Sequence, residues 1–356
     1  MSKFMSSKYG NLVPYTPGEQ PKNMQYIKLN TNESPFGPSF KAIEAAYEEA
    51  KKLQLYSDPD CTELVKAFCD VYGVGRDEVM FTNGSDEILN FAFMAYCDDK
   101  TPAIFPKTTY GFYPVFAELN HVPYKEIELN EDFSINIEDY FNAGGTIFIA
   151  NPNAPTGIAL PVEDIRRILD NNPDNIVVVD EAYVDFGTES CVPLIREYSN
   201  LMVTQTFSKS RSLAGARLGF GIAQAELIND MNTIKYSTNP YNVNRMTMAA
   251  GVGVLADEEY TKENCRKIIE NREYTVSEMK RLGFVLTDSK ANFIFAMHPA
   301  YGGEKLQAEL KKRGILIRHF SKPELDEYNR ITIGTREQME ALIKTIEEIF
   351  AEEGIK

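Results

Sequence analysis

Short, almost wholly apolar runs recur along the first two-thirds of the chain, and each leads into a segment with helical spacing of its apolar positions. VMFT precedes NGSDEILNFAFMAYC, PAIF precedes TTYGFYPVFAEL, and TIFIA leads through NPNAPTG into VEDIRRILDN. NIVVVDEAY, LMVTQTF and LGFGIA continue the series. Strands that are apolar at successive positions are buried on both faces, and helices between them supply the crossovers of a parallel sheet. The pattern therefore predicts an α/β fold: a mostly parallel central sheet flanked by helices.

Three stretches differ in texture. Residues 1–40 are rich in Pro, Gly and Asn and read as an N-terminal arm with turns. Residues 41–244 carry the strand and helix alternation, beginning with KAIEAAYEEAKK and CTELVKAFCDVYG. Residues 245–356 open with one long helical region over 245–282 and continue with short strands in ANFIFAM, GILIRHF and NRITIG. They predict a smaller α+β domain, joined by the arm.

At 356 residues the chain can bury a large core. Its net charge of −15 opposes nucleic acid or an anionic membrane as partner. Five cysteines, without a CxxC pair, read as reduced thiols of a cytoplasmic protein, and three scattered histidines offer no metal site. No apolar run reaches the length of a membrane span.

The candidate chemistry collects where strands end, which in a parallel sheet is where ligands bind. NGSDE follows VMFT, NAPTG follows TIFIA, DEAY follows IVVV, and FSK follows LMVTQ. Asp180 closes an apolar strand, so its carboxylate needs a cation, unless it forms a structural ion pair or caps a helix. Lys209 ends another strand; alone it would read as a solvated lysine. Gly84 and Ser85 open a helix whose N–H groups and dipole can hold a phosphate, although Ser85 also suits a plain N-cap. Thr206, Ser208 and Arg217 add hydroxyls and a guanidinium suited to phosphate. A strand-end lysine, a strand-end aspartate and an anion cradle together meet the needs of pyridoxal 5'-phosphate.

The ordered motifs YTPGEQP, LNTNESPFGPS, LYSDPD, NGSDE, TTYGFY, NPNAPTG, VVVDEAYVDF, TFSKSRSLAGARLGF and NRITIGT span residues 14–335. In this order they resemble the class I/II aminotransferases of fold type I, nearest to the histidinol-phosphate branch. The resemblance implies that Lys209 condenses with the cofactor aldehyde, Asp180 faces the ring nitrogen, Tyr183 bonds the phenolic oxygen and Tyr110 stacks on the ring. Gly84, Ser85 and Asp86 would cradle the phosphate with Thr206, Ser208 and Arg217, the Asp86 carboxylate pointing away. Tyr56 would reach the phosphate of a partner subunit, which implies a homodimer with shared sites. Arg330 and Arg318 would grip the anionic groups of a small amine substrate or of 2-oxoglutarate, with Tyr15 and Asn32 closing over them. The register that decides whether both arginines share a face stays open.

Two departures from the family pattern stand out. Ala154 occupies the place of an asparagine that bonds the phenolic oxygen, leaving Asn153 to take over or Tyr183 to act alone. Ser210, Arg211 and Ser212 replace small and aromatic residues, and Arg211 reads as a solvated helix charge. Rival readings are an aromatic or broad amino-acid aminotransferase, a threonine-phosphate decarboxylase-like lyase, and a cofactor-binding regulator without catalysis.

Overall fold

A computed structural model describes residues 2–10, 12–22 and 24–355, so positions 1, 11 and 23 of the expected arm lie outside the described residues. The first half of the chain forms β1 (Ile27–Lys28), α1 (Phe40–Ala50), α2 (Thr62–Tyr72), β2 (Val79–Thr82), α3 (Ser85–Tyr96), β3 (Ala103–Pro106), α4 (Tyr113–Asn120), β4 (Tyr124–Ile127), β5 (Thr146–Ala150) and α5 (Val162–Asp170). Then come β6 (Val177–Asp180), β7 (Leu201–Thr206), β8 (Gly219–Ala223), α6 (Ala225–Thr238), α7 (Arg245–Leu255) and α8 (Glu258–Arg281). The chain closes with β9 (Val285–Leu286), β10 (Phe293–Met297), α9 (Gly303–Lys312), β11 (Ile315–Leu316), β12 (Arg318–His319), β13 (Tyr328–Thr332) and α10 (Arg336–Glu353).

Seven strands make the central sheet in the order β2-β8-β7-β6-β5-β3-β4. Only β8 runs against the rest, pairing antiparallel with both β7 and β2. The apolar runs dictate this arrangement. Along β5, β6 and β7, Ile147, Ile149, Val177, Val179, Leu201 and Val203 pack into the core on one face. The alternate residues Phe148, Ala150, Val178 and Met202 pack into the core on the other. A period of two with both phases apolar is what a sheet covered on both faces requires.

A second sheet, β12-β13-β10-β9, is antiparallel and has its own core around Ile294, Ile331, Leu342 and Ile346. The arm joins the second sheet through the Leu29 carbonyl, which accepts from Thr332 N–H, and its β1 pairs parallel with β11 in a separate two-stranded sheet.

The long helical region expected over 245–282 is two helices. α7 ends at Leu255, with Ala256 as its C-cap, and α8 restarts after Asp257, where Glu258 and Glu259 give the acidic first turn that suits a helix N-terminus. Small residues let α7 press on α1: a Cβ on Gly253 would collide with the backbone of Lys41 and Ala42. Ala250, Val254 and Leu255 therefore belong to the core of the central sheet.

Candidate active site

The carboxyl ends of β2, β5, β6 and β7 and the start of β8 meet at one edge of the central sheet, because Thr82 and Thr206 both pair with Gly219. A cavity of about 100 Å³ opens there, lined by Ser85, Asp86, Tyr110, Ala154, Asp180, Tyr183, Thr206, Ser208, Lys209 and Arg217 among others.

Asp180 is buried and its hydrogen-bond partners are neutral: Tyr113 donates its hydroxyl at 3.3 Å and Ala182 its N–H at 3.3 Å. Burial, with Asp86 nearby, pushes the Asp180 carboxyl up to about 7. A carboxylate this costly to bury suits a cation placed beside it. Tyr113 was not singled out in the sequence, although it lies three positions after Tyr110 in TTYGFY.

The anion cradle depends on close backbone approach. Gly84 adopts φ +81°, and a Cβ there would fall on the Arg217 guanidinium; one on Gly219 would strike Gly84 and the Ser85 nitrogen. Arg217 itself sits at φ +57°, a conformation that costs a non-glycine residue about 1–2 kcal/mol and directs its side chain back over the start of α3. Ser208 accepts from Arg217 at 3.4 Å and from Thr206 at 3.0 Å. Asp86 departs from expectation. Its carboxylate points inward, accepting from Arg217 at 3.0 Å and from the Tyr110 hydroxyl at 2.6 Å, because no other described carboxylate answers that guanidinium.

Lys209 Nζ donates to the Thr31 carbonyl oxygen at 3.3 Å and lies 5.8 Å from the centre of the Tyr183 ring. The Tyr183 hydroxyl accepts from Asn32 Nδ2 at 2.9 Å. Asn153 is not brought to the cavity. Its amide is saturated by Thr109 at 2.7 Å, the Thr108 carbonyl at 3.0 Å and Thr156 at 3.1 Å, so it does not stand in for the residue missing at Ala154.

Arg318 and Arg330 are directly opposed across β12 and β13, which puts both side chains on one face. Arg330 lies against the rings of Phe293 and Phe320, at 5.3 and 5.7 Å, with its buried Nε lacking a partner among the described residues. Burial, and Arg318 nearby, pull this guanidinium below its usual value. Arg330 donates to the Asn30 carbonyl at 3.4 Å and Arg318 to that of Thr16 at 3.3 Å, while Tyr15 stacks on Phe112 at 4.2 Å. Two like charges side by side are favourable only with an anion between them.

Tyr56 does not line the cavity. It is 81% exposed and stacks on Tyr241 at 4.8 Å. Arg211, expected as a solvated helix charge, is instead buried, because Asp185 and Tyr72 satisfy its guanidinium and residues 210–213 form no helix. Neither Asp185 nor Tyr72 was singled out; the signal was an acid five positions after Asp180 in VVVDEAYVDF.

A mostly parallel sheet with a lysine, a buried aspartate and an anion cradle at its strand ends is the fold-type I architecture. Residues 24–346 match the family described as "Aminotransferase class I and II", and the chain belongs to that family. A histidinol-phosphate aminotransferase of Clostridium botulinum (strain Kyoto) is 46% identical over 350 residues, covering 98% of this chain and 99% of that protein. One from Acinetobacter baumannii (strain ATCC 17978) is also 46% identical, with 97% of each chain covered. The crystal structure of histidinol-phosphate aminotransferase from Sinorhizobium meliloti in complex with pyridoxal-5'-phosphate superposes with a TM-score of 0.89 at 21% identity over 99% of each chain, a likeness of fold.

Proposed function

We propose that this chain transfers the amino group of histidinol phosphate to 2-oxoglutarate with pyridoxal 5'-phosphate as cofactor, the reaction that would place it in histidine biosynthesis. The observation that carries the reading is the buried Asp180 carboxyl, hydrogen-bonded to neutral donors among the described residues, sharing one cavity with Lys209 and the Arg217 cradle. This donor set fits the cofactor: Asp180 for the ring nitrogen, Tyr183 for the phenolic oxygen, Tyr110 for the ring, and Ser85, Thr206, Ser208 and Arg217 for the phosphate. When bound, the cofactor supplies an aldehyde carbon and an electron-accepting ring. Asp180 would hold a proton on the ring nitrogen. Lys209 Nζ would act as general base, taking the proton from the amine-bearing carbon of the substrate and returning it to the carbon on the cofactor side. Arg330 and Arg318 hold the substrate's phosphate, and in the second half-reaction a carboxylate of 2-oxoglutarate.

Two further elements belong to the proposal. The organisation into an arm (1–40), a cofactor-binding unit (41–244) and a smaller unit (245–356) is supported by the separation of the seven-stranded sheet from the four-stranded one, although α7 packs with the former. The working form is a homodimer in which Tyr56 reaches the partner's phosphate site, supported by the exposure of Phe40, Tyr47, Leu53, Leu55 and Tyr56. Five free cysteines suit a cytoplasmic enzyme, and no described helix is long and apolar enough to cross a membrane.

The test is an absorbance spectrum of the purified protein with cofactor, followed by histidinol phosphate, phenylalanine, tyrosine or threonine phosphate. Bleaching of the visible band by histidinol phosphate, with glutamate formed once 2-oxoglutarate is added, is the expected result. Preference for an aromatic amino acid, or release of carbon dioxide from threonine phosphate, would replace the substrate assignment. Borohydride labelling is expected at Lys209; labelling elsewhere would sink the site.

A further inference from the structure

Behind the cavity, on the opposite face of the central sheet, the same strand ends carry a second set of polar side chains. Alternation along the strands places them: Asp180 and Thr206 line the cavity, so their neighbours Glu181 and Gln205 face away. Gln205 donates to Glu181 at 2.8 Å and accepts from the Tyr72 hydroxyl at 3.4 Å. Beside it, one carboxylate oxygen of Asp185 gathers two donors, the hydroxyl of Ser210 and, at 2.9 Å, a terminal nitrogen of Arg211. The other terminal nitrogen of Arg211 meets the Tyr72 hydroxyl, and the guanidinium lies 5.2 Å from the Phe207 ring centre.

Asp185 follows Tyr183 by two residues, and Ser210 and Arg211 directly follow Lys209. One carboxylate therefore ties the turn carrying Tyr183 to the loop carrying Lys209, and Arg211 anchors both to the end of α2. None of Asp185, Arg211 and Tyr72 lines the cavity. Arg211 is 8% exposed, yet it borders a crevice of about 140 Å³ with Val254, Leu255 and Cys265, so this charge does not serve to fill a core. Asp185 keeps about a third of its side chain in solvent (34%), so this half-buried ion pair adds little net stability; what it supplies is orientation. The loop it holds belongs to no helix or strand and has Ser212 at φ +56°. Lysine reach is sensitive to such a loop, since a misplacement of about 1 Å can cost a hundredfold in rate.

We propose that Asp185, Arg211 and Tyr72 are positioning residues that set where the Lys209 amine stands relative to Tyr183 and the cofactor. This rests on the cofactor reading above. Four proteins are compared with the wild type: Arg211→Met, Asp185→Asn, their double variant, and the milder Tyr72→Phe. Each is loaded with cofactor by absorbance titration and then assayed for kcat and KM with histidinol phosphate and 2-oxoglutarate. The cofactor Kd is expected to rise about fivefold and kcat to fall about tenfold in each of the first two, with KM within about twofold. The double variant should be no worse than the poorer single one, because the residues act as one unit. Tyr72→Phe should show the same split at about a third of the size, reporting on the network even where a charge variant folds poorly. Unchanged kcat and Kd in folded Asp185→Asn and Tyr72→Phe, or fully additive losses in the double variant, would overturn the proposal. A wild type that takes up cofactor but does not turn over histidinol phosphate would overturn the substrate reading alone, since the Kd comparison still reports on the network.

Discussion

A carboxyl buried among neutral donors holds its proton more tightly folded than unfolded, and Asp180 does so with a value near 7 against a usual one near 4. Its contribution to stability in the cofactor-free protein has a definite sign. Between those two values the native state binds the extra proton, so stability falls as pH rises through the window and stays low above it. Glu181, also pushed up to about 7 by burial, acts in the same direction. Thermal melts of cofactor-free protein between pH 5 and 8 are expected to show a falling Tm, with a shallower slope in Asp180→Asn. An equal slope would mean that Asp180 is not the buried acid described. The same variant should lose about a hundredfold or more in kcat with cofactor bound, because a neutral amide cannot hold the ring proton. Asp86 supplies a complementary test. Its carboxylate occupies the Arg217 guanidinium that the proposed phosphate site would use, so Asp86→Asn is expected to tighten inorganic phosphate binding to the cofactor-free protein several-fold, read by calorimetry. Weaker binding would show that the carboxylate serves the cradle instead of opposing it.

Elements differ in how much of their geometry a linear pattern carries. The central strands were legible because both phases of their alternation are apolar, and the strand-end position of Asp180 and Lys209 follows from topology alone. The break between α7 and α8 was not read, since LADEEY keeps good helix formers on both sides of the break. Nor could a pattern orient Asn153, whose amide is taken up by Thr108 and Thr109 from a distant segment and by Thr156 within its own turn. The Arg318 and Arg330 register was likewise open, because pairing parity is a property of two strands together. The burial of Arg211 escapes the pattern for a similar reason: its partners, Asp185 and Tyr72, come from distant segments. The contact of α7 on α1 gives a test at this scale. Gly253→Ala places a methyl against the Lys41 and Ala42 backbone and should destabilise by about 1–3 kcal/mol, measured as a lower urea midpoint with an unchanged slope. An unchanged midpoint would mean that the two helices separate without cost.

At the scale of the whole molecule, one group of apolar side chains left in solvent lies on α1 and residues 53–56, and none of them lines the cavity of the same chain. Tyr56 is the informative member. Among the described residues its ring stacks on Tyr241, while Arg245 binds its carbonyl at 2.9 Å, a hold that fixes the backbone and leaves the phenol to reach outward. If that phenol serves the partner's phosphate site, each complete site takes Lys209 from one chain and Tyr56 from the other. Lys209→Ala and Tyr56→Phe proteins, mixed and reassembled, would then form hybrids with one site defective in both residues and one intact site. The mixture should exceed the mean activity of its parents, approaching about a quarter of wild type when half the dimers are hybrids. Were Tyr56 to serve its own chain, every hybrid site would carry one defect and the mixture would sit at the parental mean. Sedimentation of the same mixtures separates this from a failure to associate, because a monomer at assay concentration removes the shared site altogether.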